Sequence, residues 1–278
     1  ERWRFAVARA AFDPETVDPA RAAAFVQRLR QRVLPGPPPQ RGDHVLVPLQ
    51  GQIRRTRSFQ TASPVEMVEA ACRSGRPVVA TLHPSEPYDE ADHRALAQLQ
   101  RHYPKLTIGG DTMALLRDCA FVVAQNSAVA FDGLILDKPV VLFAQIDFHH
   151  PCLNVAELGA QTAIANARLL PIIGSLLDSV RKALSDFKVP GRLMVVKGDG
   201  STVDEAMARA RPVETILSGP ASSVSGARAL SGLRDAIVMD IGGTTTDCSI
   251  IRGGRAKVCP DGARIGAFYA SFMDTDAV

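Results

Sequence analysis

The sequence predicts an α/β protein whose first half is a parallel sheet flanked by helices. Three observations carry this. Short apolar runs recur from Val45 to Phe143, each followed by a segment of helical pattern. Capping residues such as Ser63, Asp111 and Ser127 stand before those segments. In the second half, another apolar run, Ala236-Ile-Val-Met239, leads into the glycine-rich turn Gly242-Gly243. Strands and helices in alternation are the pattern of a parallel sheet covered on its faces.

The elements follow in order. Residues 19–33 are rich in Ala, Arg and Leu, and Asp18 can cap them as a helix. Pro35-Gly-Pro-Pro-Pro39 breaks that helix and reads as a stiff extended linker. Val45-Leu-Val-Pro-Leu49 is a strand, and Ser63-Pro64 opens a helix running to about Arg73, with proline at its first position. Val78–Leu82 is a strand, residues 89–101 a helix and Thr107-Ile108 a short strand. Asp111 caps a helix over 113–117. Phe121–Ala124 is a strand, 128–136 a helix and Pro139–Phe143 the last strand of this half. A long helix over 163–187, with Pro171 near its start, precedes the run Leu193-Met-Val-Val196.

In parallel sheets ligands bind at the carboxyl ends of the strands. The polar residues there are Gln50, His83-Pro84 and Asn126-Ser127, and Ser127 opens a helix whose N–H groups suit an anion. A local reading has equal weight: His83 fixes a turn before Pro84, and Ser127 is an N-cap.

Composition sets bounds. Hydrophobic residues make up 46% and charged residues 22%, the balance of a soluble globular protein. The net charge of +3 gives no case for nucleic acid or a membrane surface. Arg54-Arg55-Thr-Arg57 is the one tight basic cluster; most such clusters are solvated loops, and a phosphate-binding role there is the minority reading. The five cysteines have no Cys-x-x-Cys spacing, so zinc and a disulfide framework are not indicated and a reducing cytoplasm is expected. No signal peptide and no apolar run near the ~20 residues of a membrane helix is read. The chain opens on Glu1 rather than Met, which suggests a fragment or a processed form. His149-His150 lacks a third metal ligand and reads as a loop pair. Lys197-Gly-Asp-Gly200 reads equally as a site loop or a turn, and Cys248 as a small core residue.

The densest chemistry lies in Asp240-Ile-Gly-Gly-Thr-Thr-Thr-Asp-Cys-Ser249. The glycines let the backbone turn tightly and approach a ligand. Hydroxyls, free N–H groups and the flanking acids Asp240 and Asp247 can cradle a phosphate and its metal ion. An ordinary glycine-rich hairpin is the plainer alternative.

This stretch, together with Lys197-Gly-Asp-Gly-Ser201, Arg211-Pro-Val-Glu-Thr-Ile-Leu-Ser-Gly-Pro-Ala-Ser-Ser-Val-Ser-Gly-Ala227 and Gly262-Ala-Arg-Ile-Gly266, resembles the hydantoinase A / 5-oxoprolinase family over about residues 160–278. The resemblance implies a sugar kinase/actin/Hsp70 type of ATPase lobe that uses ATP to open or activate cyclic amides. It implies phosphate contacts from Gly242, Gly243, Thr244 and Thr245. Asp240 would act through Mg2+ or a water and, with Asp247, is the catalytic candidate. Ser218, Gly219 and Pro220 would form a second loop near the nucleotide. The family's first lobe, with its own Gly-Gly-Thr loop, is not found in residues 1–235, and the chain stops soon after the first hairpins. An incomplete lobe is therefore expected.

A second resemblance covers about residues 43–155. Thr81-Leu-His-Pro84, the Asp111-Thr-Met-Ala-Leu-Leu116 stretch, Val122-Val-Ala-Gln-Asn-Ser-Ala-Val-Ala-Phe-Asp-Gly-Leu134 and Asp137-Lys-Pro-Val-Val-Leu-Phe143 look like capsular-polysaccharide glycosyltransferases of the Kdo-transfer type. It implies one Rossmann-like lobe, half of a GT-B-type fold, binding a sugar nucleotide such as a CMP-sugar. His83 would contact the nucleotide phosphate, Asn126 and Ser127 would line the site, and Asp132 would hold ribose or a loop. Position 132 is Asp where this pattern usually has Glu.

The expected organisation is a helical lead-in and proline-rich linker over 1–42, a transferase-like lobe over 43–158 and an ATPase-like lobe over 159–278. The first functional reading is an ATP-dependent cyclic-amide hydrolase. Its alternatives are a capsule-type glycosyltransferase and an inactive chimera of both. Expected partners are a small-molecule substrate and either the missing lobes or a second copy, because a partial lobe exposes apolar surface.

Overall fold

The computed structural model describes Ala10 and residues 16–146, 148–242, 246–265, 268–273 and 275–277, with the backbone alone from Val258 onward. The chain divides into two compact units, Glu1–Arg168 and Leu169–Val278.

The first unit begins with helix α1 (Pro19–Val33), capped by the Asp18 carboxylate, which accepts from the Arg21 N–H at 2.8 Å. The linker after it is fastened down. The Arg117 guanidinium donates to the carbonyls of Leu34, Pro35 and Pro37, and buried Lys138 donates to those of Cys119 and Gln40. Proline removes N–H donors from this stretch, so its carbonyls can be satisfied only from outside it.

Alternation then runs β1 (Val45–Pro48), α2 (Pro64–Cys72), β2 (Val78–Thr81), α3 (Glu90–His102), β3 (Leu106–Ile108), α4 (Thr112–Asp118), β4 (Phe121–Ala124), α5 (Ala128–Ile135) and β5 (Val140–Leu142). The expected α/β parallel sheet is present. All pairings are parallel, in the order β3-β2-β1-β4-β5-β6. The sixth strand, β6 (Leu153–Asn154), was not expected. It is two residues long, so it has no period to read.

Helices start where side-chain oxygens can cap them. Ser63 and Glu66 form a reciprocal capping box on α2, and Asp89 and Asp92 do so on α3. The central strands β1, β4 and β5 are buried on both faces. Val45 and Val47 join Met67, Val68, Phe121, Val141 and Ile164 on one side; Leu46 joins Leu116, Val122, Ile135 and Leu142 on the other. This is the layering of helices on both faces that continuous Val/Leu runs require.

After a short turn of helix, α6 (Val155–Leu158), the chain enters α7 (Ala160–Asp186). The helix starts slightly earlier than the sequence suggested, Pro171 lies inside it, and the division between the two units falls within it. It is also long and apolar enough by composition to cross a membrane, which corrects the expectation that no such run exists. Its Ala163, Ile164 and Ala167 belong to the first unit's core.

The second unit contains an antiparallel pair, β7 (Met194–Val196) with β8 (Thr202–Asp204), then α8 (Glu205–Ala210), a 3-10 turn at Pro212–Thr215 and α9 (Ser218–Ser231). Strands β9 (Ala236–Ile241) and β10 (Thr246–Arg252) pair antiparallel. The other edge of β10 takes β11 (Arg255–Ala256) and β14 (Thr275–Ala277), while β12 (Val258–Ile265) pairs with β13 (Phe268–Met273). Arg209 ties α8 to α7 through Asp178 at 2.5 Å and bonds Glu205 in its own helix.

Candidate functional site

Each unit holds one candidate site. In the second unit the site is built on the β9–β10 hairpin. Along β9 the exposure alternates: Ala236, Val238 and Asp240 are half-buried, whereas Ile237, Met239 and Ile241 are 74%, 60% and 73% exposed. Period two sends successive side chains to opposite faces, so Asp240 shares the α9-facing side with Val238. The contact is direct: the Ser223 hydroxyl of α9 donates to Asp240 Oδ2 at 2.6 Å.

The register sets Asp247 directly opposite Asp240. Residues opposite one another in an antiparallel pair project to the same face, so the hairpin brings together two acids that the sequence separates by a turn. Gly242 is exposed at the end of β9. Gly243, Thr244 and Thr245, expected to hold phosphate, lie outside the described residues.

Ser218 and Gly219, expected in a loop, instead form the first turn of α9. Leu217 precedes them with φ 57°, in left-handed backbone, and offers no side-chain cap. The helix therefore opens with N–H groups that no side chain satisfies. Serine and glycine are small enough to turn the chain here, and Pro220 has its fixed φ suited to a helix start. Upstream, Lys197-Gly-Asp-Gly200 is a turn between β7 and β8. Lys197 Nζ lies 3.2 Å from Asp199 and 3.4 Å from Glu214, and these bonds and charges raise its pKa.

Two carboxylates on one face of the hairpin suit Mg2+, which takes one or two carboxylates and draws its other ligands from water and phosphate oxygens. Among the described residues no group of three or more His, Cys, Asp and Glu could hold a metal by itself. His149 and His150 stack on each other with ring centres 4.1 Å apart.

In the first unit the chain runs from β1 through β2 to β3 on one side, then returns to place β4 against β1. The carboxyl ends of β1 and β4 thus flank the point where strand order reverses, the usual ligand crevice of such sheets. Gln50 follows β1, His83 follows β2, and Asn126 and Ser127 follow β4, so the fold brings the three expected strand ends side by side. The Gln50 Oε1 atom is buried and finds no hydrogen-bond partner among the described residues.

His83 does what the local reading required. Its Nδ1 accepts from the Ser85 N–H at 3.2 Å, and its own N–H donates to the Tyr88 hydroxyl at 2.9 Å. Ser127 caps α5, accepting from the Val129 N–H at 3.3 Å, and is buried. Asp132 is half-buried, and burial raises its pKa. Sequence reasoning missed Gln60 and Gln125. The Gln60 amide donates to Gln125 Oε1 at 2.8 Å and to Asn126 Oδ1 at 3.4 Å, and Gln125 donates to the Ala62 carbonyl at 2.7 Å. It also missed Ser223. Its place one turn into the helix that opens at Ser218-Gly-Pro was the available signal.

Residues 159–278 match the hydantoinase/oxoprolinase family. The caprolactamase subunit alpha of Pseudomonas jessenii is 26% identical over 103 residues, which is 36% of this chain and 15% of that protein's length. Among solved structures, the nucleotide-free acetone carboxylase, described as carrying out ATP-dependent acetone carboxylation, has a TM-score of 0.43 and 17% identity, covering 92% of this chain and 38% of its own. Thermosulfurimonas dismutans KpsC, a beta Kdo 2,7 transferase, has a TM-score of 0.34 and 18% identity, covering 52% of this chain and 47% of its own. The C-terminal resemblance drawn from the motifs is met again here in the family match over 159–278.

Proposed function

We propose that the second unit contributes the phosphate- and Mg2+-binding part of an ATP-dependent hydrolase of the hydantoinase/oxoprolinase kind, acting on cyclic amides in the cytoplasm. One observation carries the reading: the family match over 159–278 includes the hairpin that sets Asp240 opposite Asp247. In this reading the two acids hold Mg2+ directly or through water, and Gly242, Gly243, Thr244 and Thr245 donate to phosphate. The open first turn of α9, at Ser218 and Gly219, faces a second phosphate. Ser223 orients Asp240 through its hydroxyl. Bound ATP supplies the activating phosphoryl chemistry; the residues position its phosphates and metal. Calorimetric titration with Mg-ATP tests this. Binding that is lost in Thr244→Ala and in Asp240→Ala supports it, and unchanged binding in both variants removes it.

A second reading has its own support. The strand reversal between β1 and β4, with Gln50 Oε1 unsatisfied beside it, favours a small-molecule crevice in the first unit. A nucleotide such as the CMP of a CMP-sugar is the proposed ligand, with Asn126 and Ser127 lining the crevice, His83 at its edge and Asp132 behind Ser127 on α5. Binding of CMP that survives His83→Ala would sever His83 from that site.

A further inference from the structure

The basic cluster Arg54-Arg55-Thr-Arg57 has a placement that the sequence could not give. It lies in the segment between β1 and α2, which crosses the carboxyl end of β4 and reaches β5. Three contacts fix the crossing. Gln60 bridges Ala144, the Thr61 N–H donates to the Phe143 carbonyl at 3.0 Å, and the Gln145 N–H donates to the Phe59 carbonyl at 3.1 Å. Buried Ile53 pins the near end in the core. The Gln60 side chain couples the loop to the crevice. Its Oε1 accepts from the Arg57 N–H at 2.8 Å, while its Nε2 donates to Gln125 and Asn126. One amide therefore stands between the Arg57 backbone and the end of β4.

The three arginines differ. Arg54 is committed to Asp89 at 2.6 Å and Asp92 at 2.7 Å. Neither the Arg55 nor the Arg57 side chain makes a hydrogen bond or ion pair among the described residues. Arg57 is nevertheless half-buried. A guanidinium is a planar fork of donors matched to phosphate oxygens, and partial desolvation without a partner costs free energy that an anion would recover. The carboxylate of Glu86 packs against Gly51, at the start of the loop.

We infer that Arg55 and Arg57 form a phosphate clamp at the β1–β4 reversal of the first unit. The inference rests on the nucleotide-crevice reading above and adds the residues that would make it selective for phosphate. The phosphate either belongs to a nucleotide or is free, and the probes separate these: CMP, cytidine and inorganic phosphate, titrated calorimetrically at low ionic strength into the full chain. Arg55→Ala/Arg57→Ala is compared with Arg28→Ala/Arg32→Ala, which removes the same charge from α1, and thermal melts check that both fold. The clamp predicts that CMP binds wild type more tightly than cytidine does. It predicts a loss of about tenfold or more for CMP in the loop variant and a change of no more than about twofold in the α1 variant. Competition by inorganic phosphate at equal strength would assign the clamp to free phosphate. Unchanged CMP affinity in the loop variant overturns the clamp and leaves the crevice reading standing. No binding of CMP or phosphate to wild type overturns both.

Discussion

Asp240 and Asp247 stand directly opposite each other across the β9–β10 pair, and the Ser223 hydroxyl holds one of them at 2.6 Å. Like charges in directly opposed cross-strand positions are destabilising, by roughly 0.2–1 kcal/mol. A hairpin that keeps two acids in this register gains from a cation between them.

The first prediction follows from that pair. In EDTA, Asp247→Asn should be more stable than wild type by about 0.5 kcal/mol, because it removes one of the two charges. Addition of Mg2+ should stabilise wild type and leave the variant nearly unmoved, since only a ligand bound to the folded state raises stability. Urea denaturation with and without Mg2+ reads both. A variant less stable than wild type in EDTA would mean that the two carboxylates do not repel.

The described thiols divide by desolvation of the sulfur rather than by exposure of the residue, since Cys152 is half-buried as Cys248 is. Cys72, Cys119 and Cys152 have their pKa pushed up to about 12, in each case chiefly by burial. The thiolate is the reactive form. At pH 8 a thiol-alkylating reagent should leave these three unmodified in the folded protein and label them once urea is added, while half-buried Cys248 is modified first among the described cysteines. Peptide mass mapping over a time course checks the order. Rapid labelling of Cys119 under native conditions would contradict the burial seen here.

The exposed face of β9 also predicts behaviour. Ile237, Met239 and Ile241 present a contiguous apolar strip, and such strips promote association. Light scattering after size exclusion should show mass rising with protein concentration, and Met239→Lys should suppress the rise. A monomer at all concentrations would show that the strip is not sticky enough to matter.

Much of this was readable in advance, and the reasons are local. Asp18, Ser63, Asp89, Asp111 and Ser127 announce helix starts because each oxygen satisfies an orphan N–H at a fixed spacing. The central strands of the first unit show as unbroken apolar runs because both faces are covered. Strand order was not readable, since adjacency of β1 and β4 depends on long-range packing. The same holds for Gln60, whose role depends on Gln125 and Asn126, distant in sequence. Ser223 looked like one serine among several until α9 laid it on Asp240. Pro171, read near the start of a helix over 163–187, sits inside α7, where the surrounding helix outweighs the missing N–H.

The capping box on α2 gives a prediction in which stability and pH are linked. Glu66 Oε2 accepts from the Ser63 N–H and from the Ser63 hydroxyl, both at 2.7 Å, and the Ser63 hydroxyl accepts from the Glu66 N–H at 3.3 Å. These bonds, the hydroxyl first, lower the Glu66 pKa below its ordinary 4.5. A carboxylate with a depressed folded pKa contributes stability that is fully present above the unfolded value and is lost as pH falls through the folded one. Ser63→Ala should therefore cost about 1 kcal/mol at neutral pH, the usual effect of removing an N-cap oxygen. The difference between wild type and variant should shrink as pH drops below about 4.5. Urea midpoints at pH 7 and across the acid range measure this. A gap that stays constant down to the acid limit would mean that the hydroxyl caps α2 without any help from the Glu66 charge.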